Sequence, residues 1–474
     1  MSDETRHQRH TDNDEQRRPW SVLGLLVAAQ FMVVLDITIV NVALPSIGRA
    51  LSFARADLQW VVTAYVLCSG GLVLAGGRAA DLFGRRRMFL AGLTLFTLAS
   101  LICALSQSAA MLIGARAAQG AGAAILTPSA LSILTTVYSG RQRATAMGLW
   151  SAVASAGIAA GAVLGGVLTS LLSWHWVFLV NVPVGLAVGA LTPRIVPSIA
   201  HQRTHRTLDP LGGLSLIGGL VALVYALSRA ADDGWSSAVT LALLAVAAVL
   251  LATFATVERT VAEPLIPPQV WRMRPLVSGA GMLLAGTGIL AGVFFLMSNE
   301  MQDVLGYSAL RAGLAFLPFV AATAVGVHLT SHVIARAGSR SLIVAGMTLV
   351  VIGALLLARI PHHATYASDL LPGLAVFGLG MGLAFPAITI SMMSDVDHAS
   401  AGASSGVLST AHEVGAALGT AVLSTIAVTS SSGAIGSSRP ALQAAAVAAA
   451  GLAALAALAA PSVRPPAGAS VPMH

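Results

Sequence analysis

The stretch SVLGLLVAAQFMVVLDITIVNVALP, residues 21–45, is apolar for the length of a bilayer crossing yet carries Asp36 in its middle. A helical crossing needs about 20 predominantly apolar residues. Near the bilayer centre an ionised carboxylate costs about 2.5–3.5 kcal/mol on the mildest scale, so an acid kept in a span is by default a functional residue. Asp36 shares its helical face with Val40 and Ala43 rather than with a polar stripe.

Runs of the same length recur along the chain, beginning near Ser21, Leu58, Met88, Met111, Thr145, Val177, Leu211, Ala238, Leu276, Leu310, Leu342, Asp369, Ser404 and Ala441. They predict fourteen crossings and an all-α polytopic membrane protein. The composition agrees: 474 residues, 56% hydrophobic, only 9% charged, against about 25% charged in soluble domains. The polar residues 1–19 precede a full-length span without a cleavage site, so no cleaved signal peptide is expected.

All 26 basic residues are arginines. A phosphate-binding loop of the Walker type needs a lysine and Schiff-base chemistry needs one too, so neither is expected, and no nucleotide partner with them. The formal charge of +7 is spread over short loops rather than gathered on one face, which argues against a nucleic-acid partner. The N-tail, alternate loops and C-tail hold nineteen arginines and the opposite loops six, with Arg116 left inside a span. Arginine favours the cytoplasmic side, so both termini are expected in the cytoplasm, in a multi-pass protein of the cytoplasmic (inner) membrane. Cys68 and Cys103 fall inside apolar runs and read as small packing residues.

The connection GGRAADLFGRRR at 76–87 has a counterpart in SHVIARAGSR at 331–340, aligned on Gly84 and Gly338, with Ala335 opposite Asp81. Weak internal symmetry of this kind marks transporter folds built from repeated halves. The offset of eight spans places two inserted helices between halves of six, at roughly 211–257. The expected division is a tail at 1–19, a first bundle at 20–192, linkers plus the inserted helices at 193–274, a second bundle at 275–460 and a tail at 461–474.

Five stretches now carry a resemblance: LDITIVNVALP at 35–45, GRAADLFGRRR at 77–87, RAAQGAGAA at 116–124, SAGIAAGAVLGG at 155–166 and WHWVFLVNVPVG at 174–185. In this order and on these spans they resemble the 14-span drug/proton antiporter branch of the major facilitator superfamily, over nearly the whole chain. The resemblance implies two six-helix bundles around a central cavity, alternating access, and export driven by the proton gradient without a cofactor. It implies proton coupling for the matching Arg116, and a conformational latch for the loop holding Gly77, Asp81, Gly84 and Arg85. It links the glycine-rich span to antiport direction, although Ala162 stands where the family usually has proline.

The residues support readings of their own. A carboxylate whose charge is opposed by burial and favoured by a cationic neighbour can take a proton on one side and release it on the other; a static, helix-pairing acid remains the alternative for Asp36. Arg116 shares a helical face with Gln119, Gly120, Ala123 and Thr127, so Gln119 and Thr127 are expected at the cavity. Glu413 is a second deep acid; Ser409 and Thr420 lie on its face, and it reads as a cation site, a second proton carrier or a packing acid. In the loop, anchoring at the membrane surface explains the arginines but not Asp81. Gly157, Gly161 and Gly165 at four-residue spacing open a groove for close helix packing. His328 and His332 have a metal-capable spacing but no acid or cysteine completes a site; His362 and His363 are placed in an external loop, and no metal is expected.

The leading expectation is a monomeric, proton-coupled antiporter for lipophilic or cationic small molecules such as drugs and antibiotics. A dedicated exporter of one endogenous antibiotic is the near alternative, favoured by a composition typical of GC-rich bacteria. An intramembrane metal-dependent enzyme and a transport-dead sensor are remote ones.

Overall fold

The computed structural model describes residues 3–53, 57–138, 140–196, 210–261, 264, 273–361, 364–393, 401–429 and 439–459. Side chains within these ranges are described except at 3–19, 81, 140–141, 143–144, 148, 151–152, 154–155, 158–159, 210, 228, 231–232, 401–403, 405, 428–429 and 459.

The described chain is helical and contains no strand. Apolar runs in lipid must satisfy every backbone group within themselves, and a helix does so. The first half contains α1 (Asp3–Ala50), α2 (Trp60–Phe83), α3 (Arg85–Ala104), α4 (Ala109–Val137), α5 (Gly140–Leu171), the short α6 (Trp176–Leu179) and α7 (Asn181–Ile195). Next come α8 (Pro210–Asp233) and α9 (Ala238–Thr260). The second half contains α10 (Arg274–Asn299), α11 (Ala309–Ala315), α12 (Leu317–Leu357), α13 (Leu371–Met392), α14 (Ala401–Thr429) and α15 (Arg439–Ala459). Local chemistry sets several starts: Ser108, Ser237 and Ser308 each accept a backbone N–H of the first turn with the side-chain hydroxyl, as good N-caps do.

Ten helices among the described residues are long and apolar enough to cross a membrane. One of these stretches, Ala309–Leu357, has 49 residues, twice what one crossing needs. It is broken at Gly338, whose φ of 76° and ψ of 158° lie outside the helical region. With α5, α8 and α14 added, the helix order is compatible with the fourteen predicted crossings.

The internal repeat is visible in the backbone. Gly84, with φ 94°, turns the chain between α2 and α3 as Gly338 does within α12. Only this single residue is non-helical in the first connection, because α2 runs on to Phe83 and α3 starts at Arg85. Gly92 then packs on the α4 backbone at Leu126 and Gly122, and Gly346, at the same distance along the second half, packs on Gly380 and Ala384 of α13.

The halves meet along three seams. Ser298 and Gln302 donate to the carbonyls of Asn41 and Val42, linking α10 and the π-turn after it to α1. Ser170 of α5 accepts from the Leu310 amide of α11, and Gly313 lies against the Ala162 carbonyl. Ser424 of α14 donates to Gln59, just before α2. Between α2 and α14, α8 fits alongside: Gly71 faces Ile217, and Thr425 donates to the Leu227 carbonyl. The α9 helix packs on α8 and leaves most of its surface, including Leu241 and Val249, uncovered.

Candidate proton-coupling site

Asp36 is fully buried, and so is Arg116, at 0% and 1% exposure. Arg116 Nη1 lies 2.5 Å from Asp36 Oδ2, and its Nε donates to the Val61 carbonyl at 2.8 Å. The guanidinium stands 4.3 Å over the Tyr65 ring and 5.8 Å from that of Phe178, where the ring faces favour a cation. Four helices therefore hold one neutral ion pair: α1 brings the acid, α4 the base, α2 the carbonyl and the platform, and α6 the second ring. Removing one member of such a pair leaves an uncompensated buried charge, worth about 3–5 kcal/mol.

Gln119 sits between the two. Its Oε1 accepts from Arg116 Nη1 at 2.7 Å, while its Nε2 donates to Asp36 Oδ1 and to Ser100 Oγ, both at 2.8 Å. Cys103 points its thiol at the same Oε1 at 3.7 Å. A second amide, Asn181 Nδ2 at the start of α7, donates to Asp36 Oδ1 at 2.7 Å. The carboxyl group of Asp36 thus meets three side-chain donors, from Arg116, Gln119 and Asn181. Gly120 lets α4 approach closely enough for this, since a Cβ there would strike the Tyr65 carbonyl.

The glycines of α5 set the position of the helix that carries Asp36. A Cβ on Gly161 would come 2.6 Å from Thr38 Cβ, and one on Gly165 would come 2.8 Å from the Ile39 carbonyl, with Gly157 nearest Val34. Ala162, in the family's proline position, turns its carbonyl instead toward Gly313 of the other half.

Glu413 lies apart from this cluster, half-buried on α14, with its Cβ against Gly70 of α2. One turn earlier, Thr410 donates to the Gly70 carbonyl at 3.2 Å. Tyr65 and Gly70 both lie on α2, so that helix touches the Asp36–Arg116 cluster as well as Glu413. Ser409 and Thr127 are half-buried and Thr420 is buried. Gln119, expected at an open cavity, is instead sealed inside the ion-pair cluster.

In the connection after α2, Arg85 donates to the Ser132 carbonyl of α4 and Arg86 to the Val196 carbonyl after α7. Arg86 therefore caps the C-terminus of α7, while Arg85 ties the connection to the last two turns of α4. The side chain of Asp81 lies outside the described residues, as do His362 and His363. Close packing here belongs to Gly76 rather than Gly77: a Cβ on Gly76 would meet the Ala124 carbonyl, whereas one on Gly77 would make only an ordinary contact with Pro128 at 3.6 Å. The rings of His328 and His332 have centroids 4.4 Å apart and are tilted by 46°, and His332 Nδ1 hydrogen-bonds to the His328 carbonyl. Among the described residues no three His, Cys, Asp or Glu side chains gather as a metal site.

Sequence reasoning did not single out Asn181, Ser100, Tyr65 or Phe178. The available signal was an isolated amide in the apolar stretch VFLVNVPVG, whose partner lies 145 residues away.

The sequence matches the profile of the Major Facilitator Superfamily over residues 26–420. It is 40% identical over 418 residues to a puromycin resistance protein of Streptomyces alboniger, covering 86% of this chain and 82% of that one. It is likewise 40% identical to a cephamycin export protein of Amycolatopsis lactamdurans, with 87% and 86% covered. A multidrug resistance protein of Mycobacterium tuberculosis is 36% identical over 84% of this chain and 73% of its own length. The fold is shared with the human organic anion transporter TETRAN, with a TM-score of 0.61 at 14% identity, over 93% of this chain and 99% of that one.

Proposed function

The chain belongs to the Major Facilitator Superfamily, and on that premise we propose that it exports lipophilic or cationic small molecules, drugs and antibiotics among them, in exchange for protons. Membership makes it a multi-pass membrane transporter of small molecules and not an enzyme, which removes the metal-dependent reading of His328 and His332.

One observation carries the coupling: Asp36 is wholly buried, and its two carboxyl oxygens accept from Arg116, Gln119 and Asn181. Protonating it neutralises the acid and frees the guanidinium from its partner, so the proton changes the contact that ties α1 to α4. Glu413, on the opposite half and packed on Gly70 of α2, is the second candidate carrier or a site for the positive end of a substrate. Thr127, Ser409 and Thr420 are proposed to line the path. The relatives named for resistance to and export of antibiotics favour drug-like substrates.

Alternating access follows from the division proposed above: a first bundle at 20–192, a second at 275–460, and the inserted pair between them, in a cytoplasmic membrane with both termini inside. In that orientation the contacts of Arg49, Ser298 and Ser170 lie at the outer face and hold the two halves together there. The connection containing Gly77, Asp81, Gly84 and Arg85 acts as the inner latch. The machine is proposed to work as a monomer and to need no cofactor beyond the proton gradient. A narrower version, a self-resistance exporter for one endogenous antibiotic, is favoured by the puromycin and cephamycin relatives and predicts a one-compound resistance profile.

Everted vesicles acidified by respiration and reporting internal pH with a dye test the proposal. Adding lipophilic cations and antibiotics in turn should release protons from vesicles with the wild-type protein and not with Asp36→Asn. Substrate uptake with no proton release in either would overturn the coupling.

A further inference from the structure

We infer that Asn181 is a switchable partner of Asp36, its side-chain amide donating to the carboxylate and, after rotating about Cβ–Cγ, accepting from the carboxylic acid. The inference rests on the reading of Asp36 as the proton carrier and adds a positioning residue to it.

A carboxylate has no hydrogen to give, so the ionised acid is met by donors only. Asn181 supplies one, Nδ2 to Oδ1 at 2.7 Å. The other end of that amide is unused: Asn181 Oδ1 is buried and has no hydrogen-bond partner among the described residues. An idle buried acceptor is costly, and here it sits on the side chain that touches the acid.

When a proton binds Asp36, the new O–H needs an acceptor. Arg116 has none to offer. Gln119 has one, but its Oε1 already takes Arg116 Nη1 at 2.7 Å and faces the Cys103 thiol, and its Nε2 also serves Ser100. Turning Gln119 over would break each of these contacts. Asn181 loses nothing but its bond to Asp36 when it turns, and that bond is the one the proton has made untenable. The terminal torsion of asparagine is soft and roughly two-fold, so both orientations fit one cavity.

The proton balance is simple. A proton from water forms an O–H bond on Asp36 Oδ1, the cluster gains one positive charge, now carried by Arg116 alone, and Asn181 Oδ1 accepts the new O–H. Release returns the proton to water and the amide to its donor orientation. The ionisable groups around the acid are Arg116 from α4, which pairs with it, Tyr65 from α2, whose ring lies under that guanidinium, and Cys103 from α3, whose thiol faces Gln119; Glu413 stands apart on α14 against Gly70. Among the described residues the side chains that hydrogen-bond to Asp36 are those of Arg116, Gln119 and Asn181, and of these Asn181 alone has an idle acceptor.

Infrared difference spectra of the purified full-length protein, taken as the pH is lowered, test this. The carboxylic acid band absent from Asp36→Asn belongs to Asp36. In Asn181→Leu that band should move to higher wavenumber, because the acid has lost its acceptor, and Asn181→Gln should restore part of the shift. Wild-type protein labelled with 13C in its asparagine side chains should show an amide carbonyl band moving as Asp36 protonates, lost in Asp36→Asn; this needs no destabilising change at Asn181. A wild-type Asp36 band with no amide response, and unmoved by Asn181→Leu, would overturn the inference and leave the coupling reading intact. No Asp36 band at any pH would overturn both.

Discussion

Arg116 Nη1 meets Asp36 Oδ2 at 2.5 Å across 80 residues of sequence, with water excluded from both. The pair is charge-balanced only while both members remain. Arg116→Ala should lower the stability of the purified protein by about 3–5 kcal/mol, the cost of a stranded buried charge. The double variant Asp36→Asn with Arg116→Gln should recover part of that loss while staying inactive in proton release. Thermal unfolding in detergent measures both, and a double variant no more stable than Arg116→Ala would deny the charge balance.

Arg116→Lys separates charge from shape. The guanidinium uses Nε on the Val61 carbonyl and Nη1 on Asp36 and Gln119 at once, which a point charge on a flexible stem does not reproduce. Lysine should keep much of the stability and lose most coupled transport. Full activity in substrate-driven proton release would show that only the charge matters.

Neighbouring glycines should respond oppositely. Gly76→Ala drives a Cβ into the Ala124 carbonyl, whereas Gly77→Ala meets only Pro128 at 3.6 Å. Overpacking against backbone costs about 1–3 kcal/mol, so Gly76→Ala should reduce the yield of folded transporter and Gly77→Ala should not. If Gly77→Ala nevertheless slows transport at normal yield, its role belongs to the latch motion rather than to packing. Membrane yield measured with transport rate separates these outcomes.

What could be read from the sequence was what single residues reveal. Asp36, Arg116 and Glu413 announce themselves as charges in apolar runs, and Gly84 and Gly338 as matched breaks in a repeat; the structure gives both glycines positive φ. What could not be read was pairing. Gln119 shows a polar helix face equally well whether that face borders a cavity or a buried ion pair, and periodicity does not distinguish them. Asn181 looked like one amide among apolar residues until α6 ended and α7 began beside α1. Gly76 and Gly77 are adjacent, and only the rotation of α2 against α4 decides which one touches. Each miss is a property of two helices, absent from either alone.

The outer closure offers a final test. Arg49 Nη1 and Asp303 Oδ1 lie 3.1 Å apart at the ends of α1 and the π-turn after α10, with side chains 63% and 41% exposed. An exposed pair contributes about 0.2–1 kcal/mol, too little to hold the fold but enough to bias two access states of similar energy. Breaking it by Arg49→Ala or Asp303→Ala should shift the balance toward the outward-open state less than tenfold, since a factor of ten requires about 1.4 kcal/mol. The reversed pair, Arg49→Asp with Asp303→Arg, should restore it. The buried bonds of Ser298 and Gln302 to the Asn41 and Val42 carbonyls remain in all these variants, so Ser298→Ala should shift the balance further than either charge deletion. Distances between spin labels on the outer ends of α1 and α10 report the populations. If charge deletion opens the outer face completely, the exposed pair is the gate itself; if neither deletion nor Ser298→Ala moves the distances, the seam between α1 and α10 does not set the access state.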